Sequence, residues 1–215
     1  NQDRHLGNLI GNVTQCQITQ AVINEFQRKV NMVKFHFKSL PPDVLYTLFK
    51  SHCMPLYGSQ LLDLDSRAIT GLFTAWRKAI RHIFSLPYRA HSRYLHLICN
   101  DLPIDFQLYK RFVKFFRSLC RSNNDVIIKC CSLIKSGSGS AVSNSLTKVS
   151  NFFKVSRYDL GTVNLEIPDL NCNDEDLSIS IAIRDLLTMR YEASCHYDTF
   201  FNSDEIMYIL NFLCV

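Results

Sequence analysis

The sequence predicts an all-α chain: a helical bundle, a basic helical extension and a small acidic helical unit at the C-terminal end. Three observations lead there. Apolar residues recur at three- and four-residue intervals through most of the chain, with little of the strict alternation that marks strands. Only seven Gly and six Pro interrupt 215 residues, and Pro41, Pro87 and Pro103 fall where apolar stripes stop. Hydrophobic residues at 47% and charged residues at 20% exclude a disordered, collagenous or low-complexity chain. A chain of this length buries roughly 70% of its unfolded surface, so a core forms without disulfides.

Taken in order, residues 5–12 (HLGNLIGN) place two Gly and two Asn around Leu9 and Ile10, the pattern of a strand end and a turn. From Thr19 onward, Val22, Phe26, Val30, Val33 and Phe37 form the stripe of an amphipathic helix that stops before Pro41, with Arg28, Lys34 and Lys38 on its other face. Pro41 and Pro42 open a second helix with Val44, Leu45, Leu48 and Phe49 as its apolar edge, ended near Pro55 and Gly58, so these two helices pair across a short turn. A third helix runs from Asp65 or Ser66, either of them an N-cap, to Ser85. It turns Ile69, Leu72, Phe73, Trp76, Ile80 and Ile83 inward and Arg67, Thr74, Lys78 and Arg81 outward. Ser92 caps a short fourth helix holding Leu95, Leu97 and Ile98. In the fifth, from Ile104, Leu108, Phe112, Phe115, Phe116 and Leu119 pack inward while Lys110, Lys114, Arg117 and Arg121 make a basic ridge outside.

Residues 136–145 (SGSGSAVSNS) read as a flexible linker, because Gly and Ser bring chain entropy and little to bury. Beyond it, Val142, Leu146, Val149 and Phe153 permit a helix, and residues 158–168 an irregular segment or strand pair around Gly161. Asp174, Glu175 and Asp176, and again Ser203, Asp204 and Glu205, suit helix N-termini. The expected organisation is residues 1–62 for the opening helices, 63–135 for a basic helical region, 136–145 for the linker and 146–215 for an acidic helical region.

Charge separates along the chain. Residues 1–135 hold 19 Lys plus Arg against 8 Asp plus Glu, and residues 136–215 hold 5 against 11. Within 76–121, ten Lys and Arg face only Asp101 and Asp105, more cation than solubility requires. Such a surface binds polyanions by neutralising phosphates, and Tyr88, Tyr94 and Tyr109 interleaved with Arg suit stacking on bases or sugars. Catalysis has little support: no GxSxG elbow, P-loop, HExxH or CxxC pair occurs. Asp63 and Asp65 read as a solvated turn and a helix cap rather than a metal clamp, and His82, His91 and His96 as surface or capping residues. Nine Cys, an odd number without paired short spacings, read as reduced intracellular thiols, with Cys53, Cys99, Cys120 and Cys214 acting as small core hydrophobes. The charge-free run 5–24 is too rich in Asn, Gln and Thr to span a membrane, and the chain opens at Asn1 without a secretory leader, as a fragment or processed chain would.

An ordered series of motifs then carries a resemblance: HLGN at 5–8, LFKSHCMPLYGSQL at 48–61, AWRKAIRHIFSLPYRAHS at 75–92 and LPIDFQLYKRFVKFF at 102–116. Together they resemble the region after the catalytic palm in reverse transcriptases of non-long-terminal-repeat (LINE-type) retrotransposons, over residues 4–135 and weakly beyond. Leu62 stands where many relatives carry Trp, and the Cys/His knuckle of some members is missing. The resemblance implies a thumb-like bundle and post-thumb extension, with Leu6 and Gly7 at the palm junction and Tyr57 and Gly58 at a helix end. It assigns Trp76, Arg77, Lys78, Arg81, Pro87, Tyr88, Arg89 and His91 to the post-thumb signature. The family's Tyr/Phe-x-Asp-Asp tetrapeptide does not occur, so the chain alone is expected to be inactive and without cofactor, Mg²⁺ belonging to the complete polymerase.

Residues and resemblance together lead to one expectation: a chain that grips an RNA–DNA or RNA template–primer duplex for a palm domain elsewhere in the same polyprotein, in the cytoplasm or nucleus. Its expected contacts are Arg77, Lys78, Arg81, Arg89, Arg93, Lys110, Lys114, Arg117 and Arg121. A non-catalytic helical protein-interaction module, or a degenerate transposon remnant, whose basic face meets an acidic partner or the acidic tail, fits the same charge pattern.

Overall fold

A computed structural model describes residues 2–5, 8–11, 13–90, 92 and 95–161 of the chain. These fold as an all-α protein with one short hairpin at its start. Strands β1 (Gln2–His5) and β2 (Asn8–Gly11) pair antiparallel, with Gln2 opposite Gly11 and His5 opposite Asn8. The strand end expected at 5–12 is therefore the second half of a hairpin. The helices follow as α1 (Gln15–His36), α2 (Pro42–His52), α3 (Ile69–Ile83), α4 (Leu95–Ile98), α5 (Ile104–Cys120), α6 (Asp125–Ser136) and α7 (Ala141–Phe153), with a single 3₁₀ turn at Ser59–Leu61.

The chain divides into two compact units that interleave in sequence. One takes Asn1–Glu25, Leu56–Phe73 and the described part of Ile104–Asp169; the described residues of the other come from Phe26–Pro55 and Thr74–Pro103. The boundaries expected at 62, 135 and 145 do not appear, because segments far apart in sequence share hydrogen bonds that a linear reading does not see.

In the first unit, α5 packs against the 3₁₀ turn, α6 and α7. Leu62, Leu72, Leu108, Phe112, Phe116, Leu146 and Leu160 are fully buried there, and Phe112 stacks on Phe116 with ring centroids 6.1 Å apart. Ser145, also fully buried, fastens the segment before α3: its hydroxyl accepts from the Leu64 N–H at 2.9 Å and donates to the Leu62 carbonyl at 2.8 Å. The linker expected at 136–145 is thus a correction. Ser140 caps α7 by accepting from the Ser143 N–H, and Ser143 and Ser145 lie inside, where their small hydroxyls satisfy backbone groups instead of adding chain entropy. The expected helix around Leu146, Val149 and Phe153 is α7. The stretch around Gly161 is a turn as far as that residue, and the helices expected after Asp174 and Ser203 lie outside the described residues.

In the second unit, the later half of α1 pairs with α2 through Phe26 and Phe49, edge to face at 5.9 Å. That arrangement adds about 0.5–1.5 kcal/mol to the burial of the two rings. Tyr46 stacks beside Phe49, and Trp76, Ala79, Ile80 and Ile83 complete the core from α3. Along α1 the inward positions are Ile23, Phe26, Val30 and Val33. Val22 is only half-buried, and Phe37, one residue past the helix end, is exposed, so the stripe read from sequence is off by one at its start and one turn too long.

Three helices end on a left-handed residue that is not glycine: Ser85 after α3, Asn100 after α4 and Lys154 after α7. In each the next N–H reaches back five residues, Leu86 to the Arg81 carbonyl, Asp101 to His96 and Val155 to Ser150. Those bonds satisfy carbonyls that a helix end leaves open. Among the described residues no helix is long and apolar enough to cross a membrane.

Candidate nucleic-acid interface

The expected contact residues fall into both units. In the second, α3 buries Ala75, Trp76, Ala79, Ile80 and Ile83, which leaves Arg77 and Lys78 on the exposed face. Trp76 is a core residue, as its place on the apolar stripe predicts. Arg81 is placed otherwise than expected. Its Nε and Nη2 donate to the Ala90 carbonyl at 3.2 and 2.8 Å, and Nη2 also donates to the Ser92 hydroxyl at 2.9 Å. The guanidinium closes the turn after α3, and burial, with the charge of Arg77 alongside, lowers its proton affinity. Arg81 is therefore a positioning residue, with the Ala90 carbonyl accepting its fork and Ser92 one further bond.

That clip has a consequence for the turn it holds. The Ala90 N–H bonds to the Pro87 carbonyl at 3.0 Å and Ala90 is buried, so the two residues between them point outward. Tyr88 is 82% exposed, and the Arg89 guanidinium carbon sits 5.8 Å from its ring centroid. A cation held over an exposed aromatic face matches both the charge and the flat surface of a nucleotide. Arg93, His91 and Tyr94 lie outside the described residues.

In the first unit, α5 exposes Lys110 and Lys114, and Arg121 is exposed just past its end, while Arg117 is half-buried. Tyr109 is a correction: it is buried, with its ring 5.1 Å from Phe152 and 6.4 Å from Phe106, and burial raises its pKa. Its position one residue beyond Leu108 puts it on the edge of the apolar face, where the α7 aromatics cover it.

Sequence reasoning missed a groove in the second unit. Gln27, Asn31 and Lys34 of α1 and Lys78 of α3 rim a cavity of about 210 Å³ floored by Phe26, Val30, Ala75 and Ala79. The signal was present, since residues 26–36 and 74–83 hold six Lys and Arg and no Asp or Glu. Beside it in the chain, Phe35 is 76% exposed and meets His36 edge to face at 5.1 Å. Phe35 falls two residues past Val33, off the apolar stripe of the helix.

The acidic pair has structural work. One Asp63 oxygen accepts from the Asp65 N–H at 3.0 Å and the other from the Asn144 amide at 2.9 Å, while Asp65 pairs with Lys148 at 3.2 Å. Among the described residues no three His, Cys, Asp or Glu side chains converge as a metal set. No family model, curated protein or solved structure matches the chain.

Proposed function

We propose that the chain is the nucleic-acid-gripping portion of a non-long-terminal-repeat retrotransposon reverse transcriptase, holding an RNA–DNA or RNA template–primer duplex while a palm domain outside these 215 residues does the chemistry. The observation that carries this reading is the α3 surface: Arg77 and Lys78 exposed on a segment without a carboxylate, running into a turn that Arg81 clips so that Tyr88 and Arg89 stand outward. Lys110, Lys114 and Arg121 give the other unit an exposed cationic row of its own. Phosphate neutralisation releases counterions from the duplex, so such surfaces bind backbone with little regard to sequence.

Fluorescence anisotropy of a labelled RNA–DNA duplex across a salt series tests it. Affinity should fall linearly in log–log form as salt rises, and Arg77→Glu with Arg89→Glu should weaken binding more than tenfold with the circular dichroism unchanged. Binding indifferent to salt, or untouched by the double reversal, overturns it. Arg81 is left intact because its replacement would open the turn. A second reading, a protein-interaction module, draws on α6, which exposes Val126, Ile128 and Leu133. Loss of a protein partner on Val126→Asp with Leu133→Asp, beside salt-indifferent nucleic-acid binding, would favour it.

A further inference from the structure

The groove between α1 and α3 does not enclose a small molecule. Its volume of about 210 Å³ is below the ~300–1,000 Å³ of pockets that surround a ligand. Its rim is cationic and amide-bearing, and its floor is apolar. Lys34 enters from one helix and Lys78 from the other, while Gln27 and Asn31 lie one turn apart on α1 on the same side as Lys34. No carboxylate lines it, and none occurs among residues 26–36 or 74–83, although Glu25 of α1 stands just before the first segment. His82, one turn beyond Lys78 on α3, has its pKa lowered by burial first and by the charge of Lys34 second. Cations from two elements thus converge on an open slot that takes part of a chain and lets the rest pass.

We infer that this groove seats one phosphate of an unpaired nucleic-acid strand between Lys34 and Lys78, with the sugar against Phe26, Val30, Ala75 and Ala79 and a neighbouring base stacked on Phe35. The argument for a nucleic acid over an acidic peptide is the run of exposed aromatic side chains that follows Lys34 in the chain. Phe35 is 76% exposed, Phe37 is 38% exposed, and His36 between them makes ring contacts with both. Exposed rings of this size following a lysine-rimmed slot supply stacking for a base, which an acidic peptide does not offer. A paired base has its faces covered by its neighbours, so the rings select strand that is unpaired. This inference rests on the nucleic-acid reading above and adds to it which strand geometry is preferred and where.

The test compares a blunt RNA–DNA duplex with the same duplex carrying a single-stranded overhang, each labelled, between about 50 and 200 mM salt. The full chain should bind the overhang substrate about tenfold more tightly, the worth of one stacked base. Phe35→Ala with Phe37→Ala should erase that advantage and leave blunt-duplex affinity alone. Lys34→Ala with Lys78→Ala should weaken overhang binding and reduce the salt slope by about one. Lys78→Ala alone, at an exposed position, should act in the same direction and guards against a folding defect at half-buried Lys34. Equal affinity for the two substrates, or lysine variants that bind like the parent, overturns the groove while leaving duplex binding intact. Absence of binding to either substrate at low salt overturns the nucleic-acid reading and the groove with it. Displacement of the overhang by polyglutamate, unaffected by the phenylalanine variants, would assign the groove to an acidic peptide and overturn the proposal.

Discussion

Arg81 was legible as a cation and illegible as a clip, because its partners, the Ala90 carbonyl and the Ser92 hydroxyl, lie nine and eleven residues ahead, beyond any helical period. Ser145 is similar: a serine in a Gly/Ser-rich run looks solvated until Leu62 and Leu64, more than eighty residues earlier, close on it. Ser145→Ala leaves a buried N–H and a carbonyl unpaired and should cost about 1–3 kcal/mol in chemical denaturation, against a few tenths at exposed Ser136. Tyr46 donates to Asp101 at 3.1 Å, and Asp101 also pairs with Lys50 at 2.7 Å. Burial first, then the nearby Cys99 and Asp101, raises the phenol's pKa well above its ordinary 10.0. The folded state then holds a proton that the unfolded chain releases, so the contribution of Tyr46 should stay level below pH 10 and fall above it. Cys53, pushed from 9.0 to about 11 by burial against the opposing charge of Lys29, adds loss of the same sign between those values. Denaturation midpoints measured from pH 8 to 11 should fall less steeply for Tyr46→Phe than for the parent. Cys53 and Cys99 were readable as buried from their apolar neighbours, whereas Cys120 is half-buried, buried Cys131 was missed and Cys214 lies outside the described residues; iodoacetamide should label exposed Cys16 and Cys130 well before Cys53, Cys99 and Cys131.

Helices as elements were the most readable feature of this chain. Spacing located α1, α2, α3 and α5 and most inward residues of α3 and α5, since a stripe of apolar side chains has no other way to leave water, although Phe73, Phe115 and Leu119 are only half-buried and buried Val113 was missed. Their ends were harder. Pro41 and Pro103 mark the approach to α2 and α5, but the left-handed residues that finish α3, α4 and α7 are Ser, Asn and Lys, and of these only Asn hints at the conformation. A side chain pays for that backbone in steric strain, so Lys154→Gly, at φ +54°, should raise stability by about 0.5–1 kcal/mol, read as a higher thermal midpoint. Gly161→Ala should do the opposite, because a Cβ there would come within 2.8 Å of the Cys120 sulfur. The candidate groove needed two elements at once: six cations were countable in the two segments, but which of them, Lys34 and Lys78, face one slot between α1 and α3 depends on packing that periodicity does not specify.

For the whole molecule, the charge imbalance sets behaviour more than any single contact. With a net charge of +5 and the cations concentrated in residues 1–135, nonspecific binding to polyanions should weaken sharply with salt, measurable as early elution from heparin. Primer, template, nucleotides and Mg²⁺ should give no extension product on a sequencing gel, since the sequence holds no Asp-Asp tetrapeptide of the polymerase type. The all-α class followed from composition and period, whereas the interleaving of two units did not, because nothing local tells residues 56–73 that their partners start at 104. That arrangement also dictates an order of events during synthesis. The Leu64 amide emerges from the ribosome 81 residues ahead of the hydroxyl that will receive it, so the nascent chain must shield this stretch by other means until α7 has been made. Slowing translation shortly before Ser145 should lengthen the window in which a protease cuts near Leu62, whereas a pause placed after α7 should leave that site protected.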